Sequence, residues 1–214
     1  MKKTITIVDY GSGNLLSAQQ SFIKVVNLIG ADAEIQISNN PENLKFSSHV
    51  VLPGQGAFKT CMDGIKKITG MEEQLNEFVK VKQRPFFGIC VGMQVLMTNG
   101  VEGEKTQGLN FIKGSVVPLK YSKNFPIPHI GWNEVEYEGK TKIEIFNEIE
   151  NKSSFYFVHS YHADIKEKIQ ITRSQHGKNK FVSAIKKNNI YGVQFHPEKS
   201  QIAGMKILKN FFEL

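Results

Sequence analysis

The chain has 214 residues, of which 40% are hydrophobic and 22% charged; this suits one globular domain spanning 1–214 and excludes a disordered or collagen-like chain. The net charge of +7 comes in ones and twos (Lys2-Lys3, Lys66-Lys67, Lys186-Lys187) rather than as a block, so a lysine-rich solvated surface is expected and a nucleic-acid partner is not. The longest apolar runs fall far short of the ~20 residues of a membrane span, the start lacks a secretory apolar core, and two cysteines make no disulfide framework, so the expectation is a cytoplasmic protein without membrane contact.

In chain order, Thr4–Val8 is β-branched and apolar, a buried strand signal, and the Gly11-Ser12-Gly13-Asn14 loop leads into a helix whose apolar residues Leu15, Ala18, Phe22, Val25, Val26 and Ile29 recur at helical spacing until Gly30. Strands are expected at Ala33–Ile37 and His49–Leu52, the latter stopped by Pro53-Gly54, then a helix over Glu72–Val81, a strand over Arg84–Ile89 and a helix over Val91–Met97. This alternation predicts an α/β fold of three layers, a central mixed but mostly parallel sheet with helices on both faces. The second half reads as an antiparallel or mixed extension: strand-like runs at 114–119, 133–137, 154–158, 169–173, 181–185 and 190–195, then a helix from Ile202 to Phe212.

The segment Phe87-Gly88-Ile89-Cys90-Val91-Gly92-Met93-Gln94 has the G-x-nucleophile-x-G pattern of a strand–turn–helix elbow. Side chains at 88 or 92 would collide in so sharp a turn. The elbow lifts a sulfur above the sheet edge at a helix N-terminus, which favours the thiolate, and aims the Val91 amide at an oxyanion. A thiolate used for acyl transfer needs an oriented histidine. His196 precedes a proline that forces it into an extended conformation, and in extended chain Glu198 falls on the same side, placed to hold one ring nitrogen while the other faces Cys90. Gly54, Gln55 and Gly56 form a glycine-rich loop after a strand, too short for a phosphate loop but able to present backbone N–H groups to an oxyanion. Cys61 has no comparable setting and is taken as core. His159 and His162 make an H-x-x-H pair without a third ligand nearby, so no metal and no cofactor are expected.

G-I-C-x-G-M-Q, P-G-x-G and F-H-P-E, in this order, resemble the triad-type (class I) glutamine amidotransferases over essentially the whole chain. Four further segments, 9–15, 128–133, 155–161 and 192–200, resemble the glutaminase subunits of imidazole glycerol phosphate synthases. The resemblance implies that Cys90 attacks the side-chain amide of glutamine, that His196 passes the proton to departing ammonia, and that Glu198 orients His196. It further implies an oxyanion held by Val91 and the 54–56 loop, with Gln94 and His159-Ser160-Tyr161 facing the glutamine backbone. Ammonia then passes to a cyclase partner, a (β/α)8 barrel, which turns the aminoimidazole-carboxamide nucleotide PRFAR into imidazole glycerol phosphate and AICAR. Asn14, His129, Trp132 and Asn133 are implied at the partner face. Position 55 departs from the pattern: a small aliphatic residue is expected in a loop whose peptide orientation gates the reaction, and glutamine stands there. A paralogue supplying ammonia to a sugar-amidating enzyme of surface polysaccharide synthesis would carry the same triad.

Overall fold

Two adjacent phenylalanines on one central strand show how the layers are built. Successive side chains of a strand point to opposite faces. Phe87 stacks on Phe211 of the C-terminal helix with ring centroids 4.9 Å apart, whereas Phe86 turns the other way and meets Phe111 edge-on at 6.2 Å. A strand buried on both faces is what a parallel sheet between helical layers requires, and it explains the near-continuous apolar run.

The computed structural model describes residues 2–137 and 142–214. The first half runs β1 (Lys3–Val8), α1 (Leu15–Leu28), β2 (Ala33–Ser38), α2 (Glu42–Phe46), β3 (His49–Gly54), α3 (Phe58–Lys67), α4 (Met71–Asn76), β4 (Phe86–Cys90) and α5 (Val91–Gln94). The rest is β5 (Met97–Gly100), β6 (Thr106–Gln107), β7 (Ile112–Pro118), β8 (His129–Glu134), β9 (Glu136–Tyr137), β10 (Ser154–His159), β11 (Tyr161–Ile165), β12 (Gln170–His176), β13 (Asn179–Lys187), β14 (Ile190–Val193) and α6 (Gln201–Glu213). The main sheet has the order β2-β1-β3-β4-β14-β13-β12-β9. Its pairings are parallel from β2 through β14 and antiparallel from β14 outward. α1 and α6 pack together, as do α2, α3 and α4, so the expected mixed sheet flanked by helices is present. The second half does not simply extend that sheet: β11-β7-β5-β6 form a separate sheet and β10-β8 a two-stranded ribbon.

Two local expectations are corrected. The helix expected over Val91–Met97 ends at Gln94, and Met97 opens β5. Val95, Leu96 and Met97 are all fully buried, and so short an apolar run does not distinguish helix from strand by period. Tertiary pairing decides: the amides of Leu109 and Phe111 donate to the carbonyls of Val95 and Leu96. Nor does Pro53 stop its strand. β3 continues to Gly54 alongside β4, but its pairing with β1 ends at Val51, so the missing proline N–H falls where that side of the strand has no partner. α3, which the pattern reading leaves unmarked, buries Phe58, Cys61, Met62 and Ile65 on one face.

Candidate active site

Three neighbouring parallel strands, β3, β4 and β14, deliver the predicted residues to one sheet edge. β4 ends at Cys90, whose backbone takes φ 55° and ψ −113°. This left-handed conformation is strained for a residue with a side chain. Close packing over-determines it. A Cβ on Gly92 would lie 1.8 Å from the Leu52 carbonyl oxygen, one on Gly88 2.6 Å from the Gly92 oxygen, and one on Gly54 2.4 Å from the Gly92 nitrogen. The elbow thus sits in backbone-to-backbone contact with the end of β3, and the G-x-C-x-G spacing is the sequence form of that contact.

β14 leads to His196, whose N–H donates to the Tyr156 carbonyl. Its ring Nδ1 is 2.8 Å from Glu198 Oε1, and the two side chains are 6% and 3% exposed. Nε2 is buried without a hydrogen-bond partner. Burial alone would lower the imidazole's proton affinity, but Cys90 and Glu198 reverse this and raise its pKa from 6.5 to about 10. The contact with Cys90 falls short of a regular hydrogen bond, as is common for an acid–base pair before substrate arrives.

Cys90 and His196 open into a cavity of about 360 Å³ whose walls include Gln55, Gly56, Val91, Gln94, Ser160 and Tyr161. Gln94 donates to the Tyr161 carbonyl at 3.0 Å. The Gln55 carbonyl accepts from Ser12 Oγ at 2.6 Å and from the Cys61 thiol at 3.5 Å, so the β1–α1 loop and α3 both hold the glycine-rich loop.

A profile of the class-I glutamine amidotransferases matches residues 6–214. The chain belongs to that family. Similar amidotransferase-family proteins include the imidazole glycerol phosphate synthase subunit HisH of Pelagibacter ubique, 42% identical over 98% of this chain and 99% of that protein. The subunit HisH 2 of Methanococcus maripaludis is 44% identical over 98% of each. In fold, the chain resembles a crystallised glutamine amidotransferase with TM-score 0.71 at 15% identity, covering 97% of each. A glutamine amidotransferase of Thermotoga maritima aligns with TM-score 0.66 at 18% identity, covering 100% of this chain and 84% of that one.

In this amidotransferase chain Glu198 stands behind His196, outside the cavity wall, where an orienting carboxylate is expected, and Gly54 is buried under the elbow. His159 borders the cavity, but both ring nitrogens are engaged inside the protein: Nδ1 faces the Tyr161 carbonyl at 2.9 Å and Nε2 meets His129 Nδ1 at 3.0 Å. Because a carbonyl only accepts, His159 carries its proton on Nδ1, which makes Nε2 an acceptor and His129 Nδ1 the donor. His129 Nε2 then accepts from Asn133 Nδ2 at 3.3 Å. Burial keeps both rings neutral, lowering His129 to about 4 and His159 to about 3.

His129 is therefore no surface residue, which corrects its expected place at a partner face. Alternation along β8 points Ile130 and Trp132 outward, 60% and 49% exposed, and His129 inward. Asn133 is half-buried, donating to the Gln175 carbonyl at 2.9 Å, and Asn14 is half-buried before α1. Sequence reasoning passes over Glu102, Pro128, Val158 and Lys199 in the cavity wall and over Gln194, whose amide reaches the Cys90 sulfur at 3.6 Å. Glu102 also accepts from the Phe58 N–H at the start of α3 and leaves no pattern in the sequence. Gln194 leaves none either: the chain bends at 194–195 and Pro197–Lys199 form a 3-10 turn, so the extended alternation expected to join His196 to Glu198 does not hold, although the turn still brings those two side chains together. Among the described residues, no group of three or more His, Cys, Asp and Glu is placed to hold a metal ion, and no helix is long and apolar enough to cross a membrane.

Proposed function

We propose that this chain is the glutaminase subunit of an imidazole glycerol phosphate synthase, a single amidotransferase domain that hydrolyses glutamine and passes ammonia to a cyclase subunit built on a (β/α)8 barrel. The observation that carries this reading is full-length similarity, at about 40% identity, to subunits that bear that name in bacteria and an archaeon. The setting of Cys90, His196 and Glu198 supports the chemistry.

In the reaction, the Cys90 thiolate attacks the side-chain amide carbon of glutamine, and the resulting oxyanion is held by the Val91 N–H and the 54–56 loop. His196, protonated on Nε2, gives its proton to the amide nitrogen as the C–N bond breaks and ammonia leaves. A water that loses its proton to His196 then hydrolyses the thioester to glutamate, and the proton returns to the pair. Glu198 keeps the proton of Nδ1 in place, so that Nε2 does the transfer. Glu102 supplies the wall with a carboxylate suited to the ammonium of an amino acid. Ile130 and Trp132, exposed on β8, with Asn14, contribute to the face that docks the cyclase, where ammonia meets PRFAR. The protein acts in the cytoplasm.

The test is reconstitution with the cyclase subunit. Glutamine with PRFAR should give imidazole glycerol phosphate and AICAR. Cys90→Ser should abolish glutamine-dependent synthesis, with ammonia-dependent synthesis by the partner intact. Retained glutamine-dependent turnover in that variant excludes Cys90 as the nucleophile. A pair that hydrolyses glutamine yet never converts PRFAR refutes the proposed acceptor.

A further inference from the structure

We propose that Gln194 is a further catalytic residue, the neutral buried donor that stabilises the Cys90 sulfur as an anion, an inference that rests on the glutaminase reading above. Gln194 is fully buried, and its backbone N–H is tied to the Ser183 carbonyl of β13 at 2.9 Å, so the side chain starts from a fixed point. Its Nε2 lies 3.6 Å from Cys90 Sγ.

An amide can be turned end for end, but its neighbours decide the orientation here. Gln94 donates through Nε2 both to the Tyr161 carbonyl at 3.0 Å and to Gln194 Oε1 at 3.0 Å. The carbonyl only accepts, so the Gln94 amide cannot be reversed. Both of its protons are then in use, and Gln194 must present its oxygen to Gln94. Its NH2 group is left facing the sulfur. The Tyr161 carbonyl is held from the far side by His159 Nδ1, which is followed by His129 and Asn133. Two arms thus converge on the Tyr161 carbonyl, one from His159 and one from Gln94, and the Gln94 arm continues by donation to Gln194 and from Gln194 to the Cys90 sulfur.

The donor matters because another close polar group opposes an anion. The Val158 carbonyl oxygen lies 3.9 Å from Sγ. It accepts from a neutral thiol but repels a thiolate. When the S–H bond breaks and the proton moves to His196 Nε2, the sulfur loses that partner and gains a lone pair. The Gln194 amide is already aimed at it, without reorganisation. Gln194 therefore favours the charged pair over the neutral one and holds Sγ in place for attack.

The experiment measures iodoacetamide alkylation of Cys90 in the full chain against pH, with the labelled peptide located by mass spectrometry to separate it from Cys61. Gln194→Met has similar volume and no N–H. Its alkylation at neutral pH should slow by roughly tenfold to a hundredfold, the size of one hydrogen bond to a charged group, and the midpoint of the pH profile should move up. Gln194→Glu keeps an acceptor for Gln94 and replaces the donor with a carboxylate; it should shift the midpoint the same way, and it decides the matter if the methionine variant does not fold. A purely packing role would change the melting temperature and leave both profiles in place. Folded variants with the wild-type rate and midpoint overturn the role of Gln194. The Cys90→Ser assay tests the nucleophile separately, so the two failures are distinguishable.

Discussion

Replacing Gly92 by alanine asks for one methyl group where none fits. The new Cβ would stand 1.8 Å from the Leu52 carbonyl oxygen and 2.8 Å from its carbon. Bringing the first contact out to 3 Å separates the elbow from the end of β3 by roughly 1.2 Å. Both neighbours are backbone in a fully buried strand, so no side chain can swing aside. That gap opens between Cys90 and its register partner Gly54, and so between the sulfur and the loop that faces it across the cavity. Misplacing reacting groups by about 1 Å costs on the order of 100-fold in rate, close to 2.7 kcal/mol of barrier. Overpacking adds about 1–3 kcal/mol of lost stability. The assay is glutamine hydrolysis by the reconstituted pair, with thermal unfolding in parallel. Gly103→Ala is the control: its φ is +72° but a Cβ there meets nothing within 4 Å, so it should lower stability by about 1–2 kcal/mol and spare turnover. Wild-type turnover in Gly92→Ala would show that the elbow does not depend on that contact.

Glu198→Gln should lower glutamine-dependent turnover by about 10⁴-fold with the fold retained, as amide replacement of the orienting carboxylate does in a serine-protease triad; a loss under about tenfold would deny Glu198 that role. Acid should destabilise the protein before its carboxylates titrate. Burial lowers His49 to about 4 and His159 to about 3, from 6.5. Above 6.5 both states are neutral. Below it the unfolded chain binds protons first, so stability is lost as pH falls from about 6.5 toward those values, on the order of 2 kcal/mol per group by about pH 5. Urea midpoints that do not differ between about pH 7 and pH 5 would contradict this.

The elbow is legible in the sequence because close backbone approach leaves a chemical mark: only glycine survives at positions 54, 88 and 92. The extended backbone of His196 is legible because proline restricts the residue before it, whereas the 3-10 turn that brings Glu198 to the ring is not. What escapes is set by contacts between distant segments. Glu102 reaches the cavity from the loop after β5, and the helix-to-strand change at Met97 depends on pairing with Ile112. His129 looks like a surface residue beside Trp132 until the register of β8 turns it inward to meet His159.

The place of β14 between β4 and β13 has a consequence for biosynthesis. Cys90, the proposed nucleophile, is translated before the middle of the chain, but His196, its proposed base, arrives only after the last strand, which must insert beside a strand made about a hundred residues earlier. By the proposed mechanism, a ribosome-bound intermediate lacking that strand carries a cysteine with no base, so glutamine cannot be consumed, nor ammonia lost, by a subunit whose synthesis is unfinished. Pairings of such long range also form slowly, which makes completion of the sheet the step that switches the chemistry on.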